Sequence, residues 1–496
     1  EPRAALADAA AHRPDVIVLD APLWDRTAPD AALADLSDTV RALPSLFGLQ
    51  TLAAEIGYRV HSNGGLHLLT RDPPRKLALK TIAEMVWKFA SEEYFGEAVK
   101  ATRARRTEQA ALWRRRAQGA DAAEVRALRP LPRVRRGDGR CRFVIEGSFY
   151  HLSSTSGIAR VWANIFAEWR KSGFLDRVVL LDRAGTAPPC EGLARIVVEP
   201  HHYSRLARDP ALMQAYCDDL EAAAFCSTYY ARPLSTPTMA LIHDMIPEVL
   251  GFDLEAPMWR EKHGLIRAAA RFVCVSENTR RDLLRVFPEA AERPVAVASP
   301  AIAPEFLGPM PEGADALLRR HALDRDYLVF LGSQTGYKGA DVLVEAVARL
   351  PEAERPLVVF VGDGMVQPRF IDRLGYVNVR GVSADDRDLR LLLSNALAYV
   401  NPSYYEGFGL PLLEAMASGC PVIAANAGAM PEVAGDAAIL FQPGNPEALA
   451  EAIRRVSDLR LSSRLVMSGY ERIEAFSWDG IAAAVRTALE EIADGR

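Results

Sequence analysis

In the stretch "NPSYYEGFGLPLLEAMASGCPVI", residues 401–423, Glu406 and Glu414 stand eight residues apart across the passage from a glycine-bearing loop into an apolar helical pattern. Pro411 falls where that helix is expected to start, a position that suits proline because the missing N–H would be unpaired there anyway. Such a helix turns its free N–H groups and positive dipole end toward the loop, which makes a pocket for an anion such as a diphosphate. Gly407 and Gly409 let a ligand approach the backbone closely. Glu414, expected in the first turn, can reach the polar edge of the same pocket, where a carboxylate accepting from two adjacent hydroxyls suits a ribose. Glu406 faces the phosphate or sugar end. Either acid alone reads equally as a helix cap or a surface residue. A second loop agrees with the first: "FLGSQTGYKGADVLVEA" runs strand, turn, helix, with Lys338 at the turn, placed to neutralise a phosphate leaving group.

Other residues carry weaker signals. His243 ends the apolar run "TMALIHD" with Asp244 beside it, and reads either as a satisfied strand-end histidine or as a site residue. Ser276, Glu277 and Asn278 fit an N-cap and first turn. Gly157 and Arg160 form an ordinary helix entry or a loop at the first strand's end placed for acceptor or phosphate contact. Tyr404 and Tyr405 read as packing, and Asp218 and Asp219 as a solvated helix face.

These residues need a scaffold to bring them together. The 496 residues, 49% of them hydrophobic, are enough for about three domains. A net charge of −5 gives no call for nucleic acid, and six scattered cysteines without a C-x-x-C pair fit a reducing compartment. No metal-ligand pattern stands out, no cofactor is expected, and no apolar run approaches the ~18 residues of a membrane span. The expected location is cytoplasmic. Because the sequence starts at Glu1, inside an apparent helical pattern, it is expected to be part of a longer chain.

Along the chain, residues 1–75 read as a partial α/β module: the strand "DVIVLD", two helical stretches, and a hairpin around Asn63-Gly64. Residues 76–139 read as a helical linker that becomes basic, with thirteen Lys/Arg against four Asp/Glu over 100–140. That stretch is either a solvated linker or a patch for anionic lipid, with peripheral contact at the inner face of a membrane. From 140 to 300, short apolar strands alternate with helices: "FVIEGS", "VVLLDR", "ARIVVE", "TMALIHD", "RFVCVS" and "PVAVAS". A second series covers 301–475 with "YLVFLGS", "LVVFVGDG", "VNVRG", "ALAYVNPS", "PVIAA" and "AAILFQ", and a terminal helix closes 476–496. The fold class is therefore α/β, two tandem Rossmann-like domains facing a cleft, with ligands expected beyond the carboxyl ends of the strands.

The run "EGFGLPLLEAMASGCPVIAANAGAMPEVAGDAAILFQPGNPEALAEAI", together with "ALIHDMIPEV", "FVCVSENTRRDLLRVFP" and "STSGIARV", resembles the retaining, GT-B type nucleotide-sugar glycosyltransferases of glycosyltransferase family 4 over roughly residues 140–496. The first seventy or so residues weakly resemble the end of a class I methyltransferase-like fold, without its glycine-rich cofactor loop. The main resemblance implies a hexose moved from a nucleotide diphosphate sugar to a hydroxyl of a glycan or lipid-linked glycan, as in bacterial surface polysaccharide synthesis, without a metal. It implies that Glu414 binds the ribose, that Glu406, Lys338 and His243 serve the reacting centre, and that Gly407, Phe408, Gly409, Leu410, Gly332 and Ser333 line the donor site. Gly157, Arg160 and Asp244 fall on the acceptor side. One departure stands out: the family's loop arginine is replaced here by Ser333, Gln334, Thr335, Gly336 and Tyr337. The second positive charge is then expected from elsewhere, such as Arg280 or Arg281, and a silent nucleotide-sugar-binding or scaffold module is the alternative.

Overall fold

The computed structural model describes the backbone of residues 16–20, 58–63 and 66–71, and residues 142–495 except 154, 155, 204, 205 and 207. The chain divides into two units, residues 1–131 and 132–496. In the first, β1 (Val16–Asp20), β2 (Tyr58–Asn63) and β3 (Leu66–Arg71) pair in the order β1-β3-β2, both pairings antiparallel. Asn63 stands opposite Leu66, so the expected hairpin is present, with Gly64 and Gly65 rather than Asn63 and Gly64 between its strands. The helical stretches expected around these strands and the basic linker over 100–140 lie outside the described residues.

The second unit holds two parallel sheets. The first comprises β4 (Arg142–Glu146), β5 (Val178–Arg183), β6 (Ala194–Val198), β7 (Ala222–Ser227), β8 (Thr238–Ile242), β9 (Arg271–Cys274) and β10 (Val295–Val297), in the order β10-β9-β8-β7-β4-β5-β6. The second comprises β11 (Tyr327–Leu331), β12 (Leu357–Val361), β13 (Val379–Val382), β14 (Ala398–Asn401), β15 (Val422–Ala425) and β16 (Ala438–Phe441), in the order β13-β12-β11-β14-β15-β16. Covered on both faces, the central strands are unbroken apolar runs such as "LVVFV" in β12, buried throughout. In each sheet the strand order reverses beside the first strand, between β4 and β7 and between β11 and β14. Loops leaving the carboxyl ends on either side of such a reversal splay apart and leave a crevice.

Among the helices that connect and cover these strands are α1 (Gly157–Lys171), α2 (Glu277–Val286), α3 (Ala340–Arg349), α4 (Leu410–Ala417) and α5 (Trp478–Ala493). The α5 helix returns from the second lobe to pack on the first. Trp169 in α1 donates from Nε1 to the carbonyl of Ala482 at 2.9 Å, and Arg177 and Arg271 pair with Glu490 and Glu491 at 2.6 and 2.9 Å. At its start, Ser477 caps the helix through Gly480 N–H, and Trp478 Nε1 donates to Ile302 at 2.7 Å, tying the crossing point to the segment that joins the lobes.

Three differences from the sequence reading have local causes. Strand β7, "AAAFCS", was absent from the expected strands although it lies beside β4 in the middle of its sheet. Alanine favours strands weakly, and burial between neighbours rather than propensity holds it there. Helix α4 starts at Leu410, so Pro411 is its second residue. Glu414 is therefore its fifth, one place beyond the first turn, because Gly409 caps the helix in the left-handed region at φ 104°.

Candidate functional site

The loops after β11 and β14 flank the reversal in the second sheet, and they bring Lys338 to Glu406. Lys338 Nζ donates to Glu406 Oε1 at 2.7 Å, and Ser403 Oγ donates to the same oxygen at 2.7 Å. Burial alone would lower the Lys338 pKa, but the Glu406 carboxylate outweighs it and holds the ammonium above the ordinary lysine range. The backbone on both sides is fixed by close approach. A Cβ on Gly339 would lie 2.3 Å from the Pro402 carbonyl oxygen, and one on Gly428 would lie 2.6 Å from that of Glu406. Ala429 N–H also donates to the Glu406 carbonyl at 2.9 Å. Only glycine fits at these two positions, so the ion pair sits on a rigid cradle.

The same loop meets the first lobe. Gly407 lies against the end of β8, where an added Cβ would be 1.9 Å from the His243 carbonyl oxygen and 2.7 Å from Asp244 Cβ. Its own carbonyl accepts from Ser276 Oγ at 2.7 Å and Thr279 Oγ1 at 3.0 Å. Ser276 is the N-cap of α2, as its sequence context suggested, and this second bond makes it an interlobe contact as well. Tyr405 is buried and bonds across to Asp282 and Asn278 at 2.6 and 2.9 Å, which makes it packing, whereas Tyr404 is exposed. The carboxyl edges of the two sheets therefore face each other across the expected cleft.

His243 stands at the carboxyl end of β8 with Nε2 buried and without a hydrogen-bond partner. Burial lowers its pKa to about 4, with Lys262 adding to the effect and Asp244 opposing it, so the imidazole is neutral at pH 7. Asp244 is engaged by Ile246 N–H at 3.0 Å and lies 3.7 Å from the buried Lys262 ammonium. Gly332 bends the chain after β11 at φ 110°, and Ser333 is exposed on the next turn. Phe408 is buried against Phe476, leaving its backbone as the part that can meet a ligand.

Glu414 is only 6% exposed, and Arg160 covers it. Arg160 Nη1, reaching over from α1 of the first lobe, donates to Glu414 Oε1 at 3.0 Å, and its Nη2 bonds Asp386. Burial raises the Glu414 pKa to about 7, with Arg160 opposing and Asp386 reinforcing. Gly157, which starts α1, lies beside Leu410 at the start of α4, 3.7 Å from its Cδ1 to the position an added Cβ would take. Arg160, expected at the acceptor or a phosphate, is held by two carboxylates of the second lobe. Arg280 pairs with Glu277 at 2.8 Å and Arg281 with Asn278 at 3.2 Å, both within α2, so neither is engaged with Lys338, Glu406 or Glu414.

Asp386, Ser403 and Glu432 were missed by the sequence reading. Glu432 accepts from the N–H groups of Glu277 and Asn278 at 2.8 and 2.9 Å, capping α2 from the opposite lobe. The only signal for Asp386 was the acidic helix start "ADDRD", and a cap explains that run by itself, since Asp385 accepts from Asp388 N–H at 2.8 Å. Elsewhere in the first lobe, His201, Asp209 and Glu261 bring ligand-type atoms within 4.8 Å of one another. His201 Nε2 lies 3.2 Å from Glu261, and Asp209 accepts from the buried Arg183 at 2.7 Å. Arg183 also bonds Glu146 at 2.6 Å, so internal ion pairing accounts for this cluster.

Two Rossmann-like domains with facing carboxyl edges and a terminal helix crossing back form the GT-B fold. Residues 319–472 match the family described as Glycosyl transferases group 1. The chain is 28% identical over 244 residues to the O-antigen chain mannosyltransferase B of Escherichia coli, covering 47% of this chain and 64% of that protein. It is 33% identical over 273 residues to the MMP alpha-(1->4)-mannosyltransferase of Mycolicibacterium hassiacum, covering 51% and 65%. The chain thus spans somewhat under two thirds of the length of these curated relatives. Among solved structures, sucrose-phosphate synthase from Thermosynechococcus elongatus superposes with a TM-score of 0.60 at 18% identity, over 72% of this chain and 100% of that one. Together these likenesses show the GT-B fold and, over residues 319–472, a likeness to the group 1 glycosyl transferases. Among the described residues no helix is long and apolar enough to cross a membrane.

Proposed function

We propose that this chain moves a hexosyl group from a nucleoside diphosphate sugar to a hydroxyl of a glycan or lipid-linked glycan, with retention at the anomeric carbon, on the cytoplasmic side of a membrane. The observation that carries the reading is the Lys338–Glu406 pair at the strand-order reversal of the second sheet, 2.7 Å apart in the loops that flank it. Beside it start α4, whose dipole favours an anion, and the buried Glu414, a carboxylate of the kind that accepts from ribose hydroxyls.

In this reading the bond between the sugar's anomeric carbon and the β-phosphate oxygen breaks, and the electron pair leaves with the diphosphate. Lys338 and the N-terminal amides of α4 oppose the charge that develops on that oxygen, a preorganised term often the largest in catalysis. The acceptor oxygen bonds the anomeric carbon, and its proton passes to the departing phosphate. Neutral His243 donates or accepts one hydrogen bond to the sugar without adding charge. Glu406 fixes the ammonium and is not itself glycosylated. The positive charge comes from side chains and helix ends, and no divalent ion is assigned a role.

The test is a panel of nucleotide sugars, following binding and nucleoside diphosphate release with acceptor glycans for the wild type, Lys338→Ala and Glu414→Ala. One donor is expected to bind and turn over, with both substitutions removing release. A donor that binds without turnover across the acceptor panel identifies a binding module instead, and a glycosyl adduct trapped on Glu406 refutes the mechanism.

A further inference from the structure

The loop after β11 carries Lys338 and no arginine between Gly332 and Gly339, and Arg280 and Arg281 are engaged within their own helix. Arg160 is the residue that pairs with Glu414. It reaches Glu414 and Asp386 across 254 and 226 residues of sequence, from one lobe to the other. The Arg160 side chain is 30% exposed while that of Glu414 is 8% exposed, so a molecule approaching the carboxylate meets the guanidinium first. The helix that carries Arg160 starts against Leu410, the first residue of α4, where the diphosphate of a donor would lie.

Resting on the donor-site reading above, we propose that Arg160 is an exchangeable second cation of that site: it pairs with Glu414, and a nucleoside diphosphate displaces it onto the diphosphate. The ribose hydroxyls take over the Glu414 oxygen that Arg160 now occupies. The guanidinium, with five donors in a planar fork, then pairs phosphate oxygens alongside Lys338. The exchange conserves charge pairing. Glu414 gives up a cation as it gains hydroxyl donors, and the incoming diphosphate gains the cation that is released. It also couples donor binding to the lobes, because Arg160 belongs to one and both its present partners belong to the other.

The experiment is calorimetric titration of the full chain with guanosine, uridine, GDP and UDP, comparing wild type, Arg160→Met, Arg160→Lys and Asp386→Asn. A charge-assisted pair to phosphate corresponds to about a 10- to 100-fold change in affinity. Arg160→Met is expected to weaken the preferred diphosphate by that factor while its nucleoside binds as well as before or better, since a competitor for Glu414 is gone. Arg160→Lys keeps a cation and recovers part of the loss. Asp386→Asn, which leaves Arg160 in place and frees one of its arms, is expected to tighten diphosphate binding, and it decides the matter if Arg160→Met does not fold. Equal losses for nucleoside and diphosphate in Arg160→Met, or weaker diphosphate binding in Asp386→Asn, would show Arg160 to be an interlobe brace and overturn the exchange alone. A wild type that binds neither diphosphate sinks the donor-site reading and the exchange with it.

Discussion

Replacing Glu414 by glutamine removes a charge that the fold holds at a loss. Burial lifts this carboxyl from 4.5 to about 7, although Arg160 works against the rise. At about 1.4 kcal/mol per pH unit, the folded protein carries a penalty of about 3 kcal/mol once the pH passes 7. The sign is set by which state binds the proton more tightly. Below 4.5 the group is protonated in both states and adds nothing. Between 4.5 and 7 the unfolded chain gives up its proton first, so the protein loses stability as pH rises, and above 7 the loss is complete. Glutamine does not titrate, so the stability of Glu414→Gln relative to wild type is expected to climb by about 3 kcal/mol between pH 4.5 and 8. For a lobe of this size that corresponds to roughly 6–12 °C in melting temperature. Scanning calorimetry of both proteins at four pH values measures it. Nucleoside diphosphate binding by the same variant is expected to fall about 10- to 100-fold through loss of the charged acceptor. A stability gap that stays flat with pH, or that shrinks as pH rises, refutes the argument that Glu414 is a strained, functionally retained charge.

Other consequences are equally direct. Because burial holds His243 at about 4, its ring signals should not titrate between pH 5.5 and 8 in NMR spectra, and a midpoint near 6.5 would contradict a buried neutral imidazole. Gly407→Ala places a methyl 1.9 Å from the His243 carbonyl oxygen, so the lobes must part there. Turnover should fall more than about 10-fold with a stability loss of about 1–3 kcal/mol, and unchanged turnover would deny that contact. Trp478→Ala empties a buried ring site and breaks the bond to Ile302. A loss of about 3–5 kcal/mol in denaturant unfolding is expected, and less than about 1 kcal/mol would show that the crossing point is not held by this residue.

The legible parts of this fold are those whose signal is local. Runs such as "YLVFL" and "LVVFV" announce buried parallel strands, and the placement of Lys338 and Glu406 after two of the strands reflects where α/β sheets bind ligands. The resemblance placed both at one reacting centre, but their direct ion pair was not legible, because nothing local says that β11 and β14, far apart in sequence, are neighbours. The pairing of Arg160 with Glu414 and Asp386 was further out of reach, since it depends on the approach of one lobe to the other. Glu432 shows the same limit. Its neighbours "MPEV" suggest a short helix, whereas its carboxylate caps a helix of the opposite domain.

These long-range pairs change what binding means here. Lys338, Glu406 and Glu414 have internal partners, so under the proposed function a donor exchanges ion pairs rather than filling an open charge. Removing one partner then measures two things at once, the lost ligand contact and the charge left stranded in a half-buried site. Lys338→Ala strands Glu406, whose side chain is 12% exposed, and so should destabilise the protein as well as slow it. Adding Glu406→Gln neutralises the stranded carboxylate. The double variant is expected to recover stability, with a coupling of about 0.5–3 kcal/mol, while turnover stays as low as in Lys338→Ala. Denaturation and turnover measured on the four proteins of that cycle separate the two contributions. Recovery of turnover together with stability would mean that Lys338 only holds Glu406 in place, and additive stability losses would mean that the pair is not coupled.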